Sequence, residues 1–179
     1  MKHDDALLVA ACRKNDPKAC RELYERFAPQ MYAICLRYTR TNADAEDVLH
    51  DGFIKVFNSL HKLRESDSLY GWIKSIMVYT AINNYNRSNP IANYDTEAEE
   101  TVENSYDCNL IYDNIDIEFI LENIRQLPPR YQMAFNLCEI EELSFDEAAE
   151  RLSVSSSTVR SNLSRAKHIL AEKLKPYFK

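Results

Sequence analysis

The chain of 179 residues, with 45% apolar and 28% charged residues and a net charge of −6, is long enough for one large domain or two small ones. Its only glycines, Gly52 and Gly71, cannot form a G-x-x-x-x-G-K phosphate loop or a G-x-G-x-x-G dinucleotide fingerprint, and their scarcity disfavours β-hairpins. The five cysteines form no C-x-x-C pair, which disfavours a disulfide framework or a zinc ribbon, and no apolar run could span a membrane. We therefore expect a cytoplasmic protein with neither metal nor cofactor. The scarcity of hairpin signals favours an all-α fold.

Residues 1–87 have the apolar periodicity of a helical domain. The pair Asp16-Pro17 predicts the start of a long helix, because aspartate caps helix N-termini and proline suits the first helical position. A third helix follows a polar break, and acidic residues crowd its first turn, where they complement the helix dipole. A polar loop at 62–68 then separates this helix from a fourth one over about 69–86.

Aromatic and basic side chains are interleaved along the fourth helix. They are Tyr70, Trp72, Tyr79 and Tyr85, with Lys74 and Arg87 nearby. Such a pattern can stack on unpaired nucleic-acid bases, although core packing explains Trp72 better. We expect Asn84, Tyr85 and Arg87, near the end of the helix, to be exposed.

The composition changes after residue 87. Residues 88–124 contain ten acids and no lysine or arginine, and no sustained apolar period is present up to residue 115. We therefore interpret 88–115 as an acidic flexible linker. A second helical domain follows over 116–179, with Asp116 as the cap of its first helix.

The segment 145–166 has the spacing of a helix-turn-helix. Ser144 and Glu147 are spaced as a capping box before its first helix. Ala149 is the small residue required where the two helices cross. Ser153 occupies the position in the turn where glycine is usual.

The second helix of this motif has an apolar stripe and a polar opposite face. The stripe consists of Val159, Leu163, Ala166 and Leu170. The opposite face carries the hydroxyl and cationic groups that recognition in a major groove requires, namely Ser157, Arg160, Ser161, Ser164, Arg165 and Lys167. From residue 154 onward there are six bases and one acid. This pattern favours DNA binding over its alternative, a solvated helix in an ordinary bundle.

In this order, the three blocks resemble a sigma factor of bacterial RNA polymerase, of the extracytoplasmic-function (ECF) type of the sigma-70 family. The Ala-Glu-Asp sequence at 45–47 and Phe53 resemble the most recognisable stretch of region 2. Residues 71–87 resemble the part that melts and reads the minus-ten promoter element. Residues 126–131, followed by 145–170, resemble region 4, which reads the minus-thirty-five element. The resemblance implies a factor that binds core polymerase and directs initiation at one promoter class.

The resemblance also implies a role for each of three sets of residues. The implied partner is core RNA polymerase, with its β′ and β subunits. Docking on a coiled coil of the β′ subunit would fall to Glu46, Asp47, His50, Asp51 and Phe53. Reading the minus-ten element, with a base flipped into the loop from Arg64 to Tyr70, would fall to Arg64, Ser66, Asp67, Tyr70, Lys74, Asn84, Tyr85 and Arg87. Reading the minus-thirty-five element would fall to Ser156, Ser157, Thr158, Arg160, Ser161, Ser164, Arg165 and Lys167. A further implied partner is an anti-sigma protein, often membrane-bound, that could hold the factor at the inner membrane; no small-molecule substrate and no catalytic residue are expected.

Three residues depart from the pattern of the family: His50 replaces a usual glutamine, Tyr79 a common asparagine, and Ser153 the glycine of the turn. Three alternatives remain open, and one of them, a helical adaptor, would not need the basic face that carries Arg160 and Arg165. A free-standing helix-turn-helix regulator would bind operator DNA by itself, but it leaves residues 1–87 without a role. A helical hydrolase or transferase would need a reactive site, and the four histidines have no metal-ligand spacing.

Overall fold

The computed structural model describes residues 3–64, 67–89 and 117–177, and all regular structure in these ranges is helical. The α-helices are α1 (His3–Arg13), α2 (Pro17–Tyr38), α3 (Asn42–Ser59), α4 (Leu69–Ser88), α5 (Ile117–Arg125), α6 (Pro129–Phe135), α7 (Phe145–Leu152) and α8 (Ser156–Leu174). Two 3-10 turns, Leu60–Lys62 and Lys175–Tyr177, follow α3 and α8, and a π-helical turn, Asn136–Ile140, follows α6. The prediction of an all-α fold is confirmed.

The chain divides into two compact units, Met1–Tyr85 and Asn86–Lys179. The linker predicted over 88–115 lies almost entirely outside the described residues, as does the cap predicted at Asp116, so both stay predictions. Among the described helices, none combines the length and the apolar character needed to cross a membrane.

In the first unit, caps written into the sequence set the ends of the helices. The side chain of Asp16 accepts a hydrogen bond of 2.9 Å from the backbone N–H of Lys18, and proline occupies the first turn of α2, as predicted. Thr41 caps α3 in a reciprocal capping box, in which its hydroxyl accepts from the Asp44 N–H (3.1 Å) and its own N–H donates to the Asp44 carboxylate (3.3 Å). Asp44 therefore closes a cap in addition to complementing the helix dipole.

The core of the first unit forms where α2 packs against α1 and α3, and where α4 approaches α3. Leu23 and Met31 of α2 are fully buried, as is Met77 of α4. Gly52 of α3 lies against Met77 of α4, and an added Cβ would overlap Sδ of Met77 and lie 2.9 Å from its Cε. A side chain at position 52 would therefore require the buried Met77 side chain to move, whereas the backbone angles of Gly52 are ordinary.

In the second unit, α8 is the central helix and contacts α5, α6 and α7. Its apolar stripe packs against residues that precede or open α6, and the resulting core consists of Ile124, Leu127, Tyr131, Ala166 and Leu170. Pro129 occupies the first turn of α6. The helix then widens into the π turn, where the carbonyl of buried Asn136 accepts a hydrogen bond of 2.9 Å from the N–H of Glu141.

Candidate nucleic-acid interface

The first helix of the helix-turn-helix, α7, begins with the predicted capping box. The N–H of Ser144 donates to the Glu147 carboxylate (2.9 Å), and the N–H of Glu147 donates to the Ser144 hydroxyl (3.3 Å). Hydrogen bonds from Ser144 favour the ionised form of Glu147 and hold the pKa of that carboxyl below its ordinary value. The buried Ala149 lies at the helix crossing, as expected.

The turn between α7 and α8 depends on a left-handed backbone at Ser153, with φ 57° and ψ 40°. The next residue closes the end of α7, because the Val154 N–H donates to the Ala149 carbonyl at 3.1 Å. Ser155 then caps α8 by accepting a hydrogen bond of 3.1 Å from the Thr158 N–H. The structure thus explains why glycine would suit position 153, where a side chain strains the backbone.

The two faces of α8 separate as the sequence predicts. Val159, Leu163, Ala166 and Leu170 are buried. On the exposed side lie Ser157, Arg160, Ser161, Lys167 and, one turn beyond Ser164, His168. His168 was not among the predicted contacts, although its i+4 spacing from Ser164 places it on the same face.

Each predicted cation on α8 contacts a neighbouring side chain. The guanidinium of Arg160 lies over the ring of Phe145, 4.7 Å from its centroid. Lys167 forms an ion pair of 2.9 Å with Glu139, and both side chains are partly exposed. Arg165, by contrast, is half-buried and donates a hydrogen bond of 3.2 Å to the Tyr131 hydroxyl. Arg165 therefore has a structural contact that joins α8 to α6, a role that the sequence did not indicate.

Hydroxyl groups at the start of α8 form a local network. The Ser155 hydroxyl is 2.8 Å from the hydroxyls of both Ser157 and Thr158, and the Ser156 hydroxyl donates to the carboxylate of Asp146 in α7. Ser156 and Thr158 are half-buried, whereas Ser157 is exposed. Of the predicted hydroxyl contacts, Ser157 and Ser161 are thus the most accessible.

The predicted minus-ten residues divide into exposed and buried ones. Tyr70 is 42% exposed, and Arg64 and Arg87 are also exposed. The expectation that Tyr85 is exposed is wrong: its side chain is 8% exposed, because that side of α4 faces the core. Tyr79, at 59%, is instead the most exposed aromatic residue of α4. The remaining predicted residues are half-buried Asp67, Lys74 and Asn84, and Ser66, which lies outside the described residues.

The predicted docking residues lie on α3. Its exposed side carries Glu46, Asp47, His50 and Asp51. Phe53 does not belong to this surface, because it is 3% exposed and its ring packs 4.7 Å from that of Tyr24 and 6.1 Å from that of Phe57. Ile54, the next residue, is 56% exposed and follows the acidic side chains at helical spacing.

Comparisons with known proteins match the same protein family across nearly the whole chain. The model of Sigma-70 region 2 matches residues 23–90, and that of Sigma-70, region 4, matches residues 120–170. The chain is 28% identical over 184 residues to the ECF RNA polymerase sigma-E factor of Haemophilus influenzae, covering 96% of both proteins. It is 29% identical over 182 residues to the factor of the same name from Escherichia coli, covering 96% of this chain and 95% of the relative.

A solved structure provides a comparison of the fold. The structure of CnrH in complex with the cytosolic domain of CnrY has a TM-score of 0.50 at 18% identity, and the alignment covers 95% of this chain and 96% of that one. This likeness concerns the fold alone. Among the side chains in the described ranges, no cluster of three His, Cys, Asp or Glu residues is suited to hold a metal ion.

Proposed function

The chain belongs to the sigma-70 family, as a factor of the ECF type, and we propose how its two units share the work of that family. Such factors bind core RNA polymerase and direct transcription initiation at a promoter class, and they are not enzymes. In our proposal, residues 116–179 read the minus-thirty-five element, residues 1–87 dock on polymerase and read the minus-ten element, and the acidic stretch 88–115 connects the two.

The observation that carries the proposal is the outer face of α8. A helix in the major groove presents side chains that donate or accept hydrogen bonds at base edges and phosphates. The exposed Ser157, Arg160 and Ser161 meet this requirement, and they lie within the first two turns of α8, the part that enters the groove in helix-turn-helix proteins. The ring of Phe145 supports the guanidinium of Arg160, which lowers the entropy cost of placing that charge at the DNA.

Docking on core polymerase is assigned to the exposed acidic side of α3. Three carboxylates, on Glu46, Asp47 and Asp51, present negative charge along two turns of the helix. Exposed Ile54 adds apolar area at the end of this surface. Protein interfaces usually combine charged residues with an apolar area, and the apolar area supplies most of the affinity.

Reading of the minus-ten element is assigned to the loop before α4 and to exposed residues of that helix. Tyr70 and Tyr79 are exposed and can stack on unpaired bases, and Arg64 can contact phosphate. Tyr85 supports the fold rather than contacting DNA, because it is buried.

We further propose that an anti-sigma protein controls this factor, as the family membership implies. The factor would then act in the cytoplasm, and a membrane-bound anti-sigma protein could hold it at the inner membrane until a signal releases it.

Two variants with opposite effects test the proposal. Arg160→Ala should weaken promoter binding by the holoenzyme, by about 1–3 kcal/mol if Arg160 contacts a base edge, and it should leave core binding unchanged. Asp47→Lys should weaken core binding. Promoter binding measured by fluorescence anisotropy and core binding measured by pull-down separate the two effects.

Two matched controls make the same kinds of charge change at residues outside the proposed interfaces. Arg151→Ala takes a positive charge from the exposed end of α7, and Glu22→Lys reverses an exposed acid on α2. Both should leave core and promoter binding unchanged. If Asp47→Lys binds core polymerase as well as the wild type does, the docking assignment is wrong; if Arg160→Ala retains full promoter binding, the assignment of α8 is wrong.

A further inference from the structure

Arg13, the last residue of α1, reaches across the first unit to the end of α3. Its Nε donates a hydrogen bond of 3.1 Å to the carbonyl of Leu60, and its Nη2 donates to the same carbonyl at 3.0 Å. The same Nη2 also donates to the carbonyl of Leu63 at 2.7 Å. One guanidinium thus binds the carbonyl of Leu60, the first residue of the 3-10 turn Leu60–Lys62, and that of Leu63, the residue after the turn.

These carbonyls lie where the chain leaves α3 and enters the loop that precedes α4. The Leu60 carbonyl accepts a hydrogen bond of 3.2 Å from the Leu63 N–H, and the Arg13 guanidinium adds to this bond and also binds the Leu63 carbonyl. The side chains of Leu60 and Leu63 are both buried, which holds this backbone against the core. Hydrogen bonds from a guanidinium are charge-assisted and stronger than those between neutral groups. Arg13 therefore fixes the point from which the loop departs.

Two described residues of the loop, Arg64 and Asp67, are joined by hydrogen bonds beyond this point. The N–H of Asp67 donates to the Arg64 carbonyl at 3.1 Å, and the N–H of Arg64 lies 3.3 Å from the Asp67 carboxylate. At the far end, the Ser68 carbonyl accepts from the Trp72 N–H at 2.9 Å as α4 begins. The start of the loop is thus held by Arg13 and its end by α4.

We propose that Arg13 is a positioning residue for recognition of the minus-ten element. This inference rests on the proposed role of the loop from Arg64 to Tyr70. By fixing the backbone at Leu60 and Leu63, Arg13 sets where Arg64 meets the flipped base. A binding loop that is ordered beforehand loses less conformational entropy on binding. The Arg13 guanidinium would act through these two carbonyls.

The test uses holoenzyme, assembled from core polymerase and the full chain, on a promoter fragment with a pre-opened minus-ten region. The non-template strand carries 2-aminopurine at the flipped position, so that fluorescence reports unstacking of that base. Arg13→Ala should weaken binding to this fragment about tenfold, because charge-assisted hydrogen bonds are lost. Arg13→Lys should recover part of the affinity, because an ammonium can still donate to one carbonyl.

The matched control is Arg21→Ala. Arg21 lies in the same unit and pairs only with solvent-exposed Glu25 in the contacts described, at 3.2 Å within α2. This variant removes the same charge without a change at the loop, and it should bind the fragment as the wild type does. Core binding by all variants should be unchanged.

Several results would overturn the inference. A parallel loss of core binding and minus-ten binding in Arg13→Ala and Arg13→Lys would show that Arg13 only maintains the fold. Wild-type binding by Arg13→Ala, while Arg64→Ala and Tyr70→Ala lose binding, would refute the positioning role and leave the function of the loop intact. Wild-type binding by Arg64→Ala and Tyr70→Ala would refute the proposed role of the loop itself, and the inference with it.

Discussion

Replacement of Ser153 by glycine should stabilise the second unit. Ser153 has φ 57° and ψ 40°, in the left-handed region that costs a residue with a Cβ about 1–2 kcal/mol. Glycine avoids this cost, but its greater freedom in the unfolded chain offsets about 0.5–1 kcal/mol. Because the Ser153 side chain is exposed, little packing is lost with it. The expected net gain is about 0.5–1 kcal/mol, or several degrees in the unfolding midpoint of a domain of this size.

The two units can be followed separately in one unfolding experiment. Trp72, the only tryptophan of the chain, lies in the first unit, so its fluorescence reports that unit, whereas far-UV circular dichroism reports both. Ser153→Gly should raise the midpoint of the unfolding transition that circular dichroism detects and tryptophan fluorescence does not. The control, Ser155→Ala, should lower the free energy of unfolding in the same transition by about 0.5–2 kcal/mol, because it removes the cap of α8. An unchanged or lowered transition in Ser153→Gly would refute the account of strain in this turn.

Three further predictions concern packing, pH and thiol reactivity. Gly52→Ala should destabilise the first unit by about 1–3 kcal/mol in urea unfolding, because its Cβ overlaps Met77. In a Met77→Ala background the same change should leave the free energy of unfolding unchanged or raise it. An equal loss of stability in both backgrounds would contradict the close contact between Gly52 and Met77. The pKa of Glu147 is lowered from 4.5, so the stability added by its carboxylate is present above pH 4.5 and is lost as the pH falls through the lower pKa of the folded state. Glu147→Gln should therefore lower the unfolding midpoint at pH 7 and have less effect in acid, and a difference independent of pH would count against the capping box. Burial raises the pKa of Cys12 and of Cys35 to about 12, so iodoacetamide at pH 8 should label these thiols far more slowly in the folded protein than in urea, and rapid labelling detected by mass spectrometry would contradict their burial.

Local signals predicted the architecture because they act within a few residues. The cap before Pro17 is Asp16, whose side chain accepts a hydrogen bond from a backbone N–H in the first turn of α2. Ser144 and Glu147 do the same reciprocally at the start of α7, so the positions of these residues alone indicate helix starts. The apolar spacing of α8 likewise identifies its buried stripe. Ser153 could be assigned to the turn from the motif, although the size of its backbone angles could not.

The features that sequence reasoning missed depend on packing between helices. Phe53 and Tyr85 belong to residue types found both in cores and on binding surfaces, and only the neighbouring helices decide that both are buried. Arg165 has the spacing of a DNA contact, but its hydrogen bond to Tyr131 arises from residues 34 positions apart. The contacts from Arg13 to Leu60 and Leu63 span 47 and 50 positions and leave no periodic signal.

The most direct test of the central claim is a footprint of promoter DNA by the purified chain, with and without core polymerase. Genomic fragments that support transcription by the reconstituted holoenzyme supply the promoter. We predict that the minus-ten and minus-thirty-five elements are protected only when core polymerase is present, and that transcription then starts from that site. A specific footprint on duplex DNA by the chain alone, unchanged by core polymerase and without transcription, would contradict the account and would identify a free-standing regulator.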